Sequence, residues 1–146
     1  MKQYAENKKA YFNYEILEEF ESGIVLLGPE VKSVKAGQVS IKEAYATVRG
    51  GELWLTNAHI SPYKPAQNEN YEPTRSRKLL LSKKEIAKIV GALGQKGISA
   101  LPLKIYDKNG KIKVLVGLGR GKKKYDKREA IKKREQEIEI KRTLKG

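Results

Sequence analysis

The densest chemistry in this chain is cationic. Residues 119–135 hold nine Lys/Arg against three Asp/Glu and almost no apolar side chain. Pro73-Thr-Arg-Ser-Arg-Lys78 places three cations and two hydroxyls directly before Leu79-Leu-Leu81. Leucines can anchor such a segment in a core while Arg75, Arg77 and Lys78 face phosphates, the contacts that position a protein on nucleic acid. A solvated approach to the following helix is the other reading of these residues. Tyrosine supplies eight of the eleven aromatics, and unpaired RNA bases stack on such rings. Most of the tyrosines read as sheet residues, whereas Tyr125, alone among cations, reads as a stacking ring. Glu18, Glu19 and Glu21 lie close enough in sequence to hold Mg²⁺, although three acids in a turn are ordinarily just solvated. Gly117-Leu-Gly-Arg-Gly-Lys-Lys lacks the spacing of a Walker loop and is followed by charge where a core helix should stand. A single histidine and no cysteine exclude the usual zinc patterns, and His59, behind the apolar Trp54-Leu55, reads as structural. No catalytic constellation can be assembled, and neither a metal nor another cofactor is expected.

The chain of 146 residues carries a net charge of +14. Charge of that size attracts polyanions, because each neutralised phosphate releases condensed counterions. Its distribution divides the chain. Residues 117–146 hold 12 Lys/Arg against 5 Asp/Glu, a net of +7, and the preceding 116 residues reach the same net with 19 against 12. A basic folded domain over 1–118 followed by a more basic extension over 119–146 is therefore expected. No run of about 18 apolar residues could span a bilayer, and the first residues lack the apolar stretch of a secretory leader. A soluble, cytoplasmic protein with no membrane partner is expected.

The elements that must position these groups read mainly as strands. Tyr11 to Ile16 alternates, with Phe12, Tyr14 and Ile16 on one face. Glu18 to Gly23 reads as a turn, and Ile24-Val-Leu-Leu27 as a strand buried on both sides. Gly28-Pro29 interrupts it in the manner of an edge or bulge, and Val31 and Val34, three apart, imply a bend. Gly50-Gly51 between Ala44–Arg49 and Glu52–Thr56 is a hairpin signal, as is Asn109-Gly110 within an otherwise strand-like Ile98–Val116. Pro102 implies an edge. Ser61 to Pro73 reads as a long surface loop. Ser82-Lys-Lys-Glu85 is a capping box that opens a helix carrying Ile86, Ile89, Val90 and Leu93, ended by Gly94 or Gly97. About six short strands with one clear helix, plus hairpins and bulges, favour a mainly β, small closed barrel of the oligonucleotide-binding (OB) type. An SH3-like barrel is the alternative.

In the extension, Asp126 and Glu129 form a cap-like pair, and Glu129–Lys133 and Glu137–Lys141 are favourable i, i+4 pairs. Ile131, Ile138, Ile140 and Leu144 make too thin an apolar stripe to hold a helix by packing. Such a segment is expected to be disordered alone and to order on an anionic surface. Asp126-Lys127-Arg128 reads either as a helix cap with solvated cations or as a defined RNA contact.

Four longer stretches occur in order: Asn7-Lys-Lys-Ala-Tyr11, Phe20-Glu-Ser-Gly23 with Gly28-Pro-Glu-Val-Lys-Ser-Val-Lys-Ala-Gly37, Glu72 to Leu81, and Gly121-Lys-Lys-Lys-Tyr-Asp-Lys-Arg128. Together they resemble the small protein B family, the bacterial partners of transfer-messenger RNA, and the resemblance covers nearly the whole chain. It implies an OB-type barrel that binds the tRNA-like domain of that RNA, stands in for its missing anticodon arm and helps rescue stalled ribosomes. It implies no enzyme and no DNA partner. Alanyl-tRNA synthetase and elongation factor Tu would be indirect partners, acting on the RNA. The family's RNA-contacting glutamate falls on Glu21, where a carboxylate can accept from base amino groups. The leucine falls on Leu80, and Ser82 stands where relatives often carry asparagine, its side chain also being claimed by the helix cap. The cations of the matched stretches, Lys8, Lys9, Lys32, Lys35, Arg75, Arg77 and Lys78, complete the RNA-binding set. The resemblance also implies a tail that turns helical in the vacant mRNA channel beside the small-subunit decoding site. It would engage the ribosome through Lys122, Lys123, Lys124, Tyr125, Asp126, Lys127, Arg128, Lys132, Lys133 and Arg134. From the residues alone, a ribosomal protein and a Mg²⁺-dependent nuclease are the competing readings.

Overall fold

The computed structural model describes residues 2–64 and 70–122. The tail expectations for Lys123 to Arg134 therefore lie outside the described residues. In chain order the elements are β1 (Gln3–Glu6), α1 (Lys8–Asn13), β2 (Tyr14–Ile24), α2 (Gly28–Lys35), β3 (Val39–Ser40), β4 (Tyr45–Arg49), β5 (Glu52–Thr56), β6 (His59–Ile60), β7 (Arg77–Leu80), α3 (Lys83–Leu93), β8 (Ile98–Lys108) and β9 (Lys111–Gly121). Local chemistry accounts for the sharpest turns. Gly50 and Gly51 join β4 to β5 at φ of 61° and 76°, a left-handed pair that a two-residue hairpin requires and that glycine adopts without strain. Asn109 and Gly110 do the same between β8 and β9, at 52° and 79°. The Ser82 side chain accepts from the Glu85 N–H, and the Glu85 carboxylate accepts from the Ser82 N–H, each at 3.2 Å, closing the capping box that starts α3.

Seven strands form one antiparallel sheet in the order β1-β8-β9-β2-β7-β5-β4, with β3 and β6 paired separately. Strand alternation sends Phe20 of β2, Ala46 of β4, Leu53 and Leu55 of β5, Leu79 of β7, Ile105 of β8 and Val114 and Val116 of β9 into a single core. Tyr4 and Ala5 of β1 pack against it, so all seven strands contribute to one apolar interior. Ile89 of α3 and Val34 of α2 seal it, both almost wholly buried. A smaller cluster of Ala10, Leu101 and Leu103 lies beneath α1. There β9 passes close to β8: a Cβ on Gly117 would lie 2.6 Å from Leu103 Cδ1.

The mainly β expectation with one or more flanking helices is met, with more strands than expected and with no pairing between the terminal strands β1 and β4 among the described residues. Several local expectations are corrected. Tyr11 to Asn13 belongs to α1, where Asn7 caps the helix by accepting from the Ala10 N–H. Glu18 to Gly23 is no turn but the body of β2; a register shift between Ile16 and Glu18 lets the strand continue. Gly28-Pro29 begins α2, since proline lacks the N–H that a helix's first turn leaves free. Val31 and Val34 are three apart because they share a helix. Pro102 lies on an inner strand, at a register shift just beyond the reach of β1. β9 runs on through Gly119–Gly121, paired with β2, so three residues expected in the extension belong to the sheet.

Candidate nucleic-acid interface

The chain buries one carboxylate against two guanidiniums. Glu30 of α2 accepts from the Leu27 N–H at 2.8 Å, which fixes the helix start. Its Oε2 accepts from Arg77 Nε and Nη2 at 2.9 and 2.7 Å and from the Tyr71 hydroxyl at 2.8 Å. Arg75 adds a further pair of bonds. Arg77 also donates to the carbonyls of Ala58 at 2.6 Å and Pro73 at 2.9 Å. Burial alone would push the Glu30 carboxyl up. The hydrogen bonds from Arg75, Leu27, Arg77 and Tyr71 outweigh it and hold the pKa at about 2. The cluster ties the stretch after the long loop to α2 and thereby sets where β7 begins.

This placement corrects one expectation. Arg77 has no exposed side chain and each of its three guanidinium nitrogens donates within the protein, so it braces the segment and does not face a phosphate. Arg75 differs, with its side chain 30% exposed. One carboxylate cannot neutralise two guanidiniums, so the cluster keeps a net positive charge whose accessible part is Arg75. Lys78, on the outward side of β7, stands 3.8 Å from Glu52, an exposed pair of little energetic weight.

Glu21 projects outward from β2. Its carboxylate accepts from the Tyr106 hydroxyl at 2.6 Å and from Lys108 Nζ at 3.1 and 3.2 Å. Those two hydrogen bonds, Tyr106 first, hold the Glu21 pKa below the ordinary range. Burial pushes the Tyr106 hydroxyl up, and the Glu21 carboxylate reinforces the shift. Glu21 is thus a fixed, ionised acceptor. Glu18, by contrast, pairs with Lys88 of α3 at 2.9 Å. The three acids are therefore spread along a strand, with Glu18 and Glu21 answering to different cations, and among the described residues no group of three His, Cys, Asp or Glu is placed to hold a metal.

Register brings other expected residues beside Glu21. Leu80 lies opposite Gly23, Gly23 opposite Lys113, and Lys113 opposite Tyr106, a row across four strands. Leu80 is 51% exposed and shares a groove with Lys35 of α2. Lys32 is also on the exposed side of α2, its Nζ 5.5 Å from the Tyr63 ring. Lys8 and Lys9 stand on α1 and share a separate cleft with Tyr11, Glu19 and Lys104. Ser82 spends its hydroxyl on the α3 cap, donating to Glu85 Oε1 at 2.9 Å. His59 is exposed on β6. Lys122, the last described residue, donates its N–H to the Asn13 carbonyl at 2.9 Å, seven residues beyond the Leu115 that faces Glu21, or about 24 Å along β9.

Sequence reasoning missed Tyr71, Tyr106, Lys108 and Lys113. Each gains its meaning from a partner far off in sequence, so no local pattern marks it. Glu30 lay inside a quoted motif but was assigned no role.

The model of the SmpB protein family matches residues 4–146. An SsrA-binding protein of Streptococcus mutans is 54% identical over 97% of this chain and 91% of its own length. One from Lactococcus lactis subsp. cremoris is 55% identical over 97% of this chain and 92% of its own. A solved structure described as "tmRNA-SmpB: a journey to the center of the bacterial ribosome" contains a chain that superposes with a TM-score of 0.68 at 46% identity, covering 86% of this chain and 92% of that one. Among the described residues no helix is long and apolar enough to cross a membrane. By the extent of these matches, this chain belongs to the SmpB protein family.

Proposed function

We propose that this protein is an adaptor of trans-translation: it binds the tRNA-like domain of transfer-messenger RNA (SsrA RNA), promotes stable association of that RNA with stalled ribosomes and takes the place of its missing anticodon arm. The observation that carries this is the similarity to SsrA-binding proteins along nearly the whole chain. The curled sheet serves as an OB-type barrel. Glu21 and Leu80 contact the RNA, flanked by Lys32, Lys35, Arg75 and Lys78, with Lys8 and Lys9 on the adjoining cleft. Arg77 acts through Arg75 and β7, and Ser82 through the helix it caps. The protein works in the cytoplasm, by binding, and assigns no residue to catalysis. The tail beyond Lys122 engages the decoding site and mRNA channel through Lys123, Lys124, Tyr125 and the Asp126-Lys127-Arg128 triplet. Alanyl-tRNA synthetase and elongation factor Tu act on the RNA while it is held.

Two titrations test this. The full chain and a version ending at Lys122 are titrated with the tRNA-like fragment and with a duplex of equal length, at moderately high salt to suppress charge-only binding. Both proteins should prefer the fragment. Preference lost with the tail, or absent from both, makes the protein a general polyanion binder and favours a ribosomal protein. In a tagging assay, replacing Asp126, Lys127 and Arg128 together should abolish tagging of stalled chains and leave RNA binding intact.

A further inference from the structure

One stretch of the basic tail is not explained by an RNA partner. Residues 135–140, Glu-Gln-Glu-Ile-Glu-Ile, contain three of the five acids found beyond residue 116 and no cation. Phosphates repel carboxylates, so this stretch opposes the polyanion binding that the rest of the tail favours. Its pattern also suits an extended chain better than a helix. Side chains two apart, such as Ile138 and Ile140, lie on different sides of a helix but on the same side of an extended segment.

The body carries a matching surface. A cleft of about 460 Å³ lies between α1, β4, the end of α3 and the start of β8, within the roughly 300–1,000 Å³ of ordinary binding clefts. Alanines keep it open where β4 and β8 face each other without pairing: Ala44 and Ala46 on one side, Ala100 on the other. Leu93 and Ile98, both half-buried, add an apolar wall. Lys9 and Lys42 stand exposed at the rim beside one acid, Glu43. Glu43 reaches Lys9 only across an exposed 3.9 Å pair, which is weak enough to exchange partners. The tail leaves the body at the border of this cleft, where the Lys122 N–H meets the Asn13 carbonyl at 2.9 Å and the Gly121 N–H meets the Gly97 carbonyl at 3.3 Å. The 14 residues between Lys122 and Glu137 can span up to about 50 Å, more than a return to the cleft requires.

We propose that this cleft is a docking site for the chain's own residues 137–141, with Ile138 and Ile140 set against Leu93, Ile98 and the alanines, and with Glu137 and Glu139 within range of Lys9 and Lys42. The long, flexible lysine stems let both ammonium groups follow the acids above the cleft. The contact is a property of the free protein and stands without the function proposed above. Where that function holds, the ribosome must draw the tail out of the cleft before the tail can serve it, so docking and engagement compete.

The chain contains no cysteine, so Thr143→Cys, two residues past the docked stretch, carries a single nitroxide label on the full chain. In its amide NMR spectrum the signals of Tyr45, Ser99 and Ala100 should lose most of their intensity. Those of Asn109 and Gly110, about 30 Å away beyond the other end of β8, should keep theirs. Replacing both isoleucines, Ile138→Ser with Ile140→Ser, should restore the lost signals without touching the body. Lys42→Glu, an exposed change that reverses the rim charge, should restore them in part. No loss at the cleft residues, or a loss that survives the paired serine change, would overturn the proposal. An equal loss in a mixture of labelled copies and isotopically marked, unlabelled copies would assign the contact to a second copy's tail and overturn docking within one chain.

Discussion

Replacing Glu30 by glutamine keeps the size of the side chain and removes the one negative charge that Arg75 and Arg77 share. The carboxyl pKa falls from 4.5 to about 2 on folding, and at roughly 1.4 kcal/mol per unit that is about 3 kcal/mol of stability. A folded-state value below the unfolded one means this contribution is fully present above pH 4.5 and is lost as pH drops through about 2. Removing one partner of a buried pair costs about 3–5 kcal/mol, so Glu30→Gln should lose at least about 3 kcal/mol near neutral pH. Urea unfolding of both proteins along a pH series supplies the assay, because other titrating groups cancel in the difference. The gap should be widest near neutral pH, narrow below 4.5 and approach closure near pH 2. A gap that stays constant across the series, or never exceeds about 1 kcal/mol, would refute the claim that ionised Glu30 holds α2 to the segment before β7.

Three other outcomes can be checked directly. Ser82→Ala should cost about 1 kcal/mol of unfolding free energy through the lost cap, and should leave RNA affinity unchanged if the hydroxyl serves only α3. Tyr106→Phe removes the 2.6 Å bond to Glu21; the Glu21 pKa, followed by carboxyl-detected NMR, should rise toward the ordinary value, and binding of the tRNA-like fragment should weaken as pH is lowered through the new value. Lys78→Ala should reduce the salt slope of fragment binding by about one, while Arg77→Ala should show up first as lost stability in thermal unfolding.

What the sequence made legible was chemistry between near neighbours. Gly50-Gly51, Asn109-Gly110 and the Ser82–Glu85 box each complete their hydrogen bonds within a few residues, so their patterns sufficed. β2 was misread because its buried face shows only Phe20 and Ser22 between exposed acids, and a strand solvated along one side looks like a turn. α2 was misread because proline marks helix starts as well as strand breaks. Arg77 looked like a surface cation because Glu30, the carboxylate that draws it inside, lies 47 residues away. The Glu21 site was half legible: the acid could be placed, whereas Tyr106 and Lys108, which orient it, arrive by the pairing of β8 with β9.

The β2–β9 ribbon also behaves as a measuring rod. Its rungs run from Gly23–Lys113 to Tyr14–Gly121 with one register shift, between Ile16 and Glu18, passing Glu21 and ending where the Asn13 carbonyl grips Lys122. The reach from one end to the other is therefore counted in rungs. Adding two residues to each strand would lengthen the rod by about 7 Å and keep every side chain on its own face, whereas adding one would turn the groove-side residues inward. The separation between the two working ends is thus set in whole pleats, and an odd residue needs a further register shift like the one between Ile16 and Glu18 to absorb it.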